Sequence, residues 1–349
     1  MSPACSFVVA GSAAQLTGGY LYDARIAAGL CELGWRVTTH GLDGSFPLPD
    51  ARARRALQDC LALHPDGSRV VIDGLVFGGL PDVARAHASR LELVALVHHP
   101  LAEETGLVPA VREALAASER AALACARRIV VTSRFTARQL AGYAVPAARI
   151  RVVEPGVDPA PLAAADHEPV RLLCVASLTP RKGHLVLFEA LAALRSLAWS
   201  CTLVGSTTRD SAHARRVMQA IAASGLGERI ALPGELAPPR LREHYLGADL
   251  FVLPSLFEGY GMVVSEAIAH GLPVLATRGG ALAETVPPGA GVLVPPGDAA
   301  ALAGALEALL RDASTRVRLR EAARLARGTL RDWRQAARVF ATALAADPS

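Results

Sequence analysis

The chain has 349 residues, of which 52% are hydrophobic and 19% charged, with a formal net charge of +4. That length supports two domains with packed cores, and the mild positive balance favours small acidic ligands over nucleic acid, for which no aromatic-interleaved basic patch exists. No apolar run approaches a membrane span, and Met1 to Ala10 runs into a strand without a basic leader, so a cytoplasmic protein is expected, with peripheral contact at the inner membrane face left open.

Six scattered cysteines, with no C-x-x-C pair, fit core thiols better than zinc or disulfides. Lys182 is the single lysine among 36 basic residues. In a chain that otherwise uses arginine, a retained lysine argues for a site that needs a compact ammonium on a flexible stem.

Strand-type runs alternate with helical patterns throughout. Ser6 to Ala10 reads as the first strand, followed by the loop Gly11 to Gly19 and a helix from Tyr20 to Leu33. The glycines at 11, 18 and 19 do not form G-x-G-x-x-G, so the dinucleotide fingerprint fails. The loop still suits contact with a phosphate, with Gly18 and Gly19 beside the helix start. Trp35 to His40 is the second strand, and Asp50 to Leu63 is a helix whose Arg52, Arg54 and Arg55 face solvent or a membrane surface. Val70 to Ile72 is a buried strand ending at Asp73, which either lines a cleft or caps the next segment.

Leu93 to Val97 ends at His98-His99-Pro100, at the kind of strand end where open α/β sheets gather ligands. His98 directly ends the apolar run and is the first candidate for a working histidine; His99 is the alternative. Pro109 to Ala126 is a helix, Arg128 to Val131 a strand, and Ser133 an N-cap. Arg134, at the start of that helix, is a candidate either for a phosphate or for the surface. The Pro- and Ala-rich stretch 159–169 reads as a linker, dividing a first domain, 1–158, from a second, 159–330.

Val170 to Val175 restarts the pattern, and Ser177 to His184 carries Arg181 and Lys182 into a helix that runs to Leu197. Two cations at a helix start combine fixed charge, backbone N–H groups and the helix dipole into a diphosphate site. Cys201 to Val204 and Ile230 to Leu232 are strands, Ser211 to Ser224 and Leu241 to Leu246 helices, and Leu236 lies in a loop between them. Gly291 to Val294 is the last strand. Asp298 and Ser314 are read as helix caps, and the tail 331–349 holds an amphipathic helix, Trp333 to Ala345.

The most informative stretch runs from Leu250 to Ala276, as strand, glycine-rich loop, helix and strand. Glu258 sits at the mouth of the helix, whose free N–H groups suit a phosphate, and its carboxylate can accept hydrogen bonds from vicinal sugar hydroxyls. Glu266 lies inside the helix among Val263, Ala267 and Ile268, where a carboxylate needs partners and ribose hydroxyls would serve. The plain alternative is two unrelated acids near a helix start.

Glu258-Gly-Tyr-Gly-x4-Glu266, with Ala267, Gly271, Pro273 and Val274, resembles the Glu-x7-Glu signature of retaining glycosyltransferases of family 4, and the order of elements agrees over nearly the whole chain. The resemblance implies an α/β protein of the GT-B fold: two Rossmann-like doubly wound domains facing a central cleft, with the C-terminal helix crossing back to the first domain and Trp333 anchoring it. It implies catalytic roles for His98, Glu258, Arg181 and Lys182, the last two on the donor diphosphate. Gly18, Gly19, Arg134, Leu236, Gly259, Tyr260, Gly261, Met262, Val263 and Glu266 would bind the donor, with Leu236 near the base and Glu266 on the ribose. The expected reaction moves a hexose from a UDP- or GDP-linked sugar to a hydroxyl of a glycan, lipid-linked or small-molecule acceptor. Retention of configuration rests on the resemblance alone. No Asp-x-Asp pair occurs, so neither a metal nor a cofactor is expected. A sugar-nucleotide epimerase of the same fold, a non-catalytic nucleotide-sugar binder and an NAD-dependent oxidoreductase, the last weakened by the failed glycine fingerprint, are the alternatives.

Overall fold

The computed structural model describes residues 2–12, 18–164 and 166–345. Two compact units form, one from Met1–Gly156 with Arg331–Ser349, the other from Val157–Leu330.

The first unit runs β1 (Ala4–Ala10), α1 (Gly18–Glu32), β2 (Arg36–Leu42), α2 (Ala51–Ala62), β3 (Arg69–Asp73) and α3 (Gly74–Phe77). It continues with α4 (Pro81–His87), β4 (Glu92–Val97), α5 (Pro109–Leu123), β5 (Arg128–Val131), α6 (Arg134–Gln139) and β6 (Ile150–Val152). The second unit runs β7 (Val170–Val175), α7 (His184–Ala193), β8 (Trp199–Val204), α8 (Ser211–Ser224), β9 (Ile230–Gly234), α9 (Pro238–Leu246) and β10 (Leu250–Leu253). There follow α10 (Met262–Ala269), β11 (Val274–Thr277), α11 (Leu282–Thr285), β12 (Gly291–Val294), α12 (Ala299–Arg311) and α13 (Ala313–Ala326). The last helix, α14 (Trp333–Ala345), returns to the first unit.

Each unit holds one six-stranded parallel sheet, ordered β2-β1-β3-β4-β5-β6 and β12-β11-β10-β7-β8-β9. Parallel strands are covered by helices on both faces, which is why β4 and β10 read as unbroken apolar runs and why Leu93 to Val97 and Leu250 to Leu253 are fully buried. In both sheets the strand order reverses beside the first strand of the unit, between β1 and β3 and between β7 and β10. Ligands of open α/β sheets bind outside the carboxyl ends of the strands at such a switch point.

Helix α14 closes the first unit. Phe340 is fully buried and stacks on Phe7 with ring centroids 5.8 Å apart, while Trp333 meets Tyr22 edge-on at 6.1 Å and lies under the Arg25 guanidinium. Gly29 faces Ala337 so closely that a Cβ at Gly29 would lie 2.5 Å from the Ala337 Cβ. This packing leaves Trp333 at the helix start expected from sequence, within the unit it was expected to reach.

Several expected boundaries shift. Helix α1 begins at Gly18, so Gly18 and Gly19 form its first turn rather than the end of a loop. The middle of the expected Gly11 to Gly19 loop, residues 13–17, lies outside the described residues. Helix α9 begins at Pro238, because proline at a first helical position has no N–H to leave unpaired. Helix α7 ends at Ala193 instead of Leu197; the Leu194 carbonyl then accepts from the Trp199 indole at 2.8 Å. Ser314 is not the cap of α13. Asp312 holds that position and accepts from Thr315 N at 3.1 Å, while the Ser314 hydroxyl donates to Asp312 at 2.7 Å. Asp298 does cap α12, accepting from Ala301 N at 2.8 Å.

Candidate active site

In the second unit β7 and β10 are neighbours in space, with Leu172 opposite Leu250, although the chain between them makes the whole excursion through β8 and β9. Their carboxyl-end loops therefore meet. The loop after β7 folds as a short 3-10 turn, Pro180–Lys182, and Leu256 N donates to Arg181 O at 2.7 Å, joining the two loops through the backbone.

Onto that frame the side chains converge on Glu258. Lys182 Nζ donates to Glu258 Oε1 at 2.6 Å, Ser255 Oγ to the same oxygen at 2.6 Å, and Arg181 to Glu258 Oε2 at 3.3 Å and to Phe257 O at 2.8 Å. Glu258 is only 6% exposed. Burial by itself would push its pKa up, but Lys182, then Arg181, then the hydrogen bonds from Lys182 and Ser255 outweigh it and hold the carboxylate down at about 2. Burial also lowers the pKa of Lys182, against the opposing pull of Glu258. The result is a buried, ionised carboxylate beside two half-buried cations, an arrangement in which charge counts for more than at a surface.

The turn after β11 completes the cradle. Ala281 N donates to Glu258 O at 2.8 Å, and Gly280 has φ +65 with no room for a side chain, since a Cβ there would lie 2.2 Å from Glu258 O.

Helix α10 starts at Met262, after the short loop that follows Glu258. Its N-cap, Gly261, is left-handed and contributes no side-chain cap, so the first N–H groups of Met262 and Val263 are of the kind that ligands satisfy. Gly259, Tyr260, Met262 and Val263 are half-buried around this start, and Tyr260 O accepts from Thr285 at 2.6 Å. Glu266, expected to be buried, is half-buried and accepts from Tyr245 Oη at 2.8 Å. Tyr245 is itself pinned between His270, stacked at 5.0 Å, and Phe251 at 6.0 Å. Tyr245 was not found by sequence reasoning; its one signal was a lone tyrosine beside Arg240, Arg242 and Glu243 on α9.

The first unit has its own polar cluster at the switch point of its sheet. His98 follows β4, Asp73 ends β3, and Asp23 projects from α1. His98 Nε2 lies 3.1 Å from Asp23 Oδ1 and 3.4 Å from Asp73 Oδ2, with both acids buried. Burial disfavours a charged ring, but Asp23 and then Asp73 prevail and raise the His98 pKa to about 10. The three ligand-type atoms lie within 4.8 Å of one another, and hydrogen bonding among them accounts for the grouping. Of the two roles open to Asp73, the structure shows the cap: Oδ1 accepts from Leu75 N at 2.8 Å at the start of α3. Gly19 lies against the His98 ring; a Cβ there would meet Cδ2 at 3.2 Å and Nε2 at 3.4 Å. Gly18 has open space at its Cα. Asp23 carried no signal in the sequence beyond being a polar residue inside a helical pattern.

His99 lies 3.7 Å from Glu104. Arg134 opens α6 after the Ser133 cap, which accepts from Thr136 N at 3.0 Å; its side chain is 80% exposed and 4.0 Å from Glu154. Leu236 is half-buried against the core of the second unit, just after β9. On α2, Arg52 pairs with Asp43 at 2.7 Å and Arg54 with Asp82, so acids answer two of the three arginines considered for a membrane surface. All six cysteines carry free thiols, and burial pushes that of Cys174 up to about 12. Among the described residues no helix is long and apolar enough to cross a membrane.

The family described as glycosyl transferases group 1 matches residues 163–326, and glycosyltransferase family 4 matches residues 44–161. Among curated relatives, the D-inositol 3-phosphate glycosyltransferase of Pseudarthrobacter chlorophenolicus is 31% identical over 69% of this chain and 63% of its own length. That of Nocardia farcinica is 34% identical over 71% of this chain and 58% of its own length. The chain thus spans about three-fifths of the length of these relatives. Among solved structures, sucrose-phosphate synthase from Thermosynechococcus elongatus superposes with a TM-score of 0.82 at 23% identity, covering 99% of this chain and 98% of that one.

Proposed function

We propose that this chain, which belongs to glycosyltransferase family 4 and has the GT-B fold, moves a hexose from a UDP- or GDP-linked sugar to a hydroxyl acceptor, with retention of configuration and without a metal. The observation that carries the reading is the Lys182–Glu258–Arg181 cluster, with its carboxylate buried and its two cations half-buried, at the uncapped start of α10. A departing nucleoside diphosphate develops negative charge, and preorganised cations and helix N–H groups stabilise that charge most where water is excluded.

Each residue then has one task. Lys182 and Arg181 turn from Glu258 toward the diphosphate as it enters. Glu258, ionised at neutral pH, orients the hexose by accepting from its hydroxyls. Glu266, held by Tyr245, receives the ribose. The bond between the anomeric carbon and the phosphate oxygen breaks, and a bond to the acceptor oxygen forms on the same face. The acceptor proton passes to the released phosphate oxygen, so no side-chain base is needed. The relatives' names make inositol phosphates the first acceptors to try.

The test is direct. Purified protein is incubated with UDP- and GDP-hexoses and inositol phosphate in the presence of EDTA, and products are followed by mass spectrometry and by the anomeric coupling in NMR. The reading expects nucleoside diphosphate and a glycosylated acceptor in equal amounts, with the donor's anomeric configuration kept. Nucleotide release without a glycosylated product for any hydroxyl acceptor, or strict dependence on a divalent ion, would count against it.

A further inference from the structure

The His98 cluster constrains the chemistry of that ring more tightly than its position alone does. Two carboxylate oxygens converge on one nitrogen, Nε2, at 3.1 and 3.4 Å. Burial raises the Asp23 pKa to about 6, against the opposing pull of His98, so above that pH Asp23 is a carboxylate, which only accepts hydrogen bonds, and Nε2 carries a proton. Neither acid can easily turn away. Asp73 Oδ1 is held by Leu75 N at 2.8 Å, and Asp23 is 5% exposed on the packed face of α1. A flipped ring would set a C–H against two buried carboxylates, which burial makes costly.

The rest of the surroundings fix the ring in place. Tyr22 meets it edge-on at 5.4 Å and is tethered by its own hydroxyl to Val153 O at 2.8 Å. Thr132 donates to the His98 carbonyl at 3.2 Å. The backbone at Gly19 closes off the Cδ2–Nε2 edge. Among the described residues, the polar contacts of the ring are all made by Nε2, and none is made by Nδ1.

We propose that Asp23 and Asp73 are positioning residues for His98: they lock it as an imidazolium with Nε2–H turned inward, so that it addresses ligand only as a hydrogen-bond donor through Nδ1–H and never as a general base. The titratable groups that face the ring are Asp23 and Tyr22 from α1 and Asp73 from the end of β3. With two acids around one cation, the ring has no lone pair to accept a proton from an acceptor hydroxyl. It can instead donate to an oxygen of a ligand held at the carboxyl end of β4. This role toward ligand rests on the transfer reaction proposed above; the protonation state of the ring does not.

The test therefore has two readouts. In protein labelled with 15N at its 10 histidines, His98→Gln identifies the His98 resonances, and the ring is followed by long-range 1H–15N correlation between about pH 6 and about pH 8.5, a range that spans the ordinary histidine pKa. Both nitrogens should stay protonated throughout. In Asp23→Asn the ring should be neutral by about pH 8, with Nε2 still carrying its proton, and transfer at that pH should fall about tenfold or more with the donor KM unchanged, recovering toward pH 6. A neutral His98 in the unaltered protein at about pH 8, or a neutral ring protonated on Nδ1, overturns the proposal. The expected NMR behaviour with a transfer rate indifferent to Asp23→Asn overturns the donor role of His98 while leaving the wider transferase reading intact.

Discussion

Replacing Glu258 by glutamine removes the carboxylate that meets both Lys182 and Arg181 and keeps its shape. The folded protein holds this carboxyl at about 2 against 4.5 for an ordinary glutamate, which at 1.36 kcal/mol per pKa unit is worth about 3 kcal/mol. Because the pKa is depressed on folding, that contribution is fully present above about pH 4.5 and is lost as pH falls toward about 2. Breaking a buried pair by removing one partner costs a similar amount, about 3–5 kcal/mol. For a domain the size of the second unit this is a fall in melting temperature of about 6–12 °C at neutral pH. Scanning calorimetry at pH 7, repeated near pH 3, checks it: the gap between Glu258→Gln and the unaltered protein should roughly halve in acid. A nucleoside diphosphate should recover part of the loss, since its phosphates supply the missing negative charge. Melting within about a degree of the unaltered protein at neutral pH would show that the cluster is not the interaction described here.

Two further substitutions probe the surroundings. Tyr245→Phe deletes the 2.8 Å hydrogen bond to Glu266 but keeps the stacks on His270 and Phe251; the donor KM should rise about fivefold with kcat little changed, a bond worth about 1 kcal/mol. The rise should vanish with a 2′,3′-dideoxyribose donor, and a rise that persists would remove Tyr245 and Glu266 from ribose recognition. Gly29→Ala would gain up to about 1 kcal/mol in helix propensity, yet its Cβ would lie 2.5 Å from Ala337. Overpacking should win, with a net loss of about 1–3 kcal/mol in a thermal melt; a stabilised variant would show slack between α1 and α14.

What could be read from the chain was local. The strand-loop-helix around Glu258, the helix N-cap at Ser133 and the strand ends at Asp73 and His98 follow from apolar runs and turn residues a few positions apart. Pairings across the sheet were not legible. Lys182 was read toward a phosphate alone, because nothing in the sequence brings it beside Glu258, 76 residues away; the adjacency of β7 and β10 does. Asp23 meets His98 across 75 residues for the same reason, and so looked like any polar residue on a helix. Gly19 stood out as a phosphate-loop glycine, and the structure gives it a neighbour no spacing reveals, the His98 ring. The short α4 went unread because seven residues give too few turns for a period to show. The cap of α13 was misplaced by two residues because Asp312 and Ser314 are both good caps, and only the backbone decides between them.

The central claim is that Lys182 serves a nucleoside diphosphate. The most direct measurement is calorimetric titration of UDP, GDP and ADP, without metal, into the unaltered protein and into Lys182→Ala. The account predicts that one nucleotide binds the unaltered protein tightly and that its affinity falls by about tenfold or more in the variant, the loss of one charge-assisted contact of about 1.5–3 kcal/mol. Equal affinity for both proteins, or no binding of any nucleotide, would contradict it.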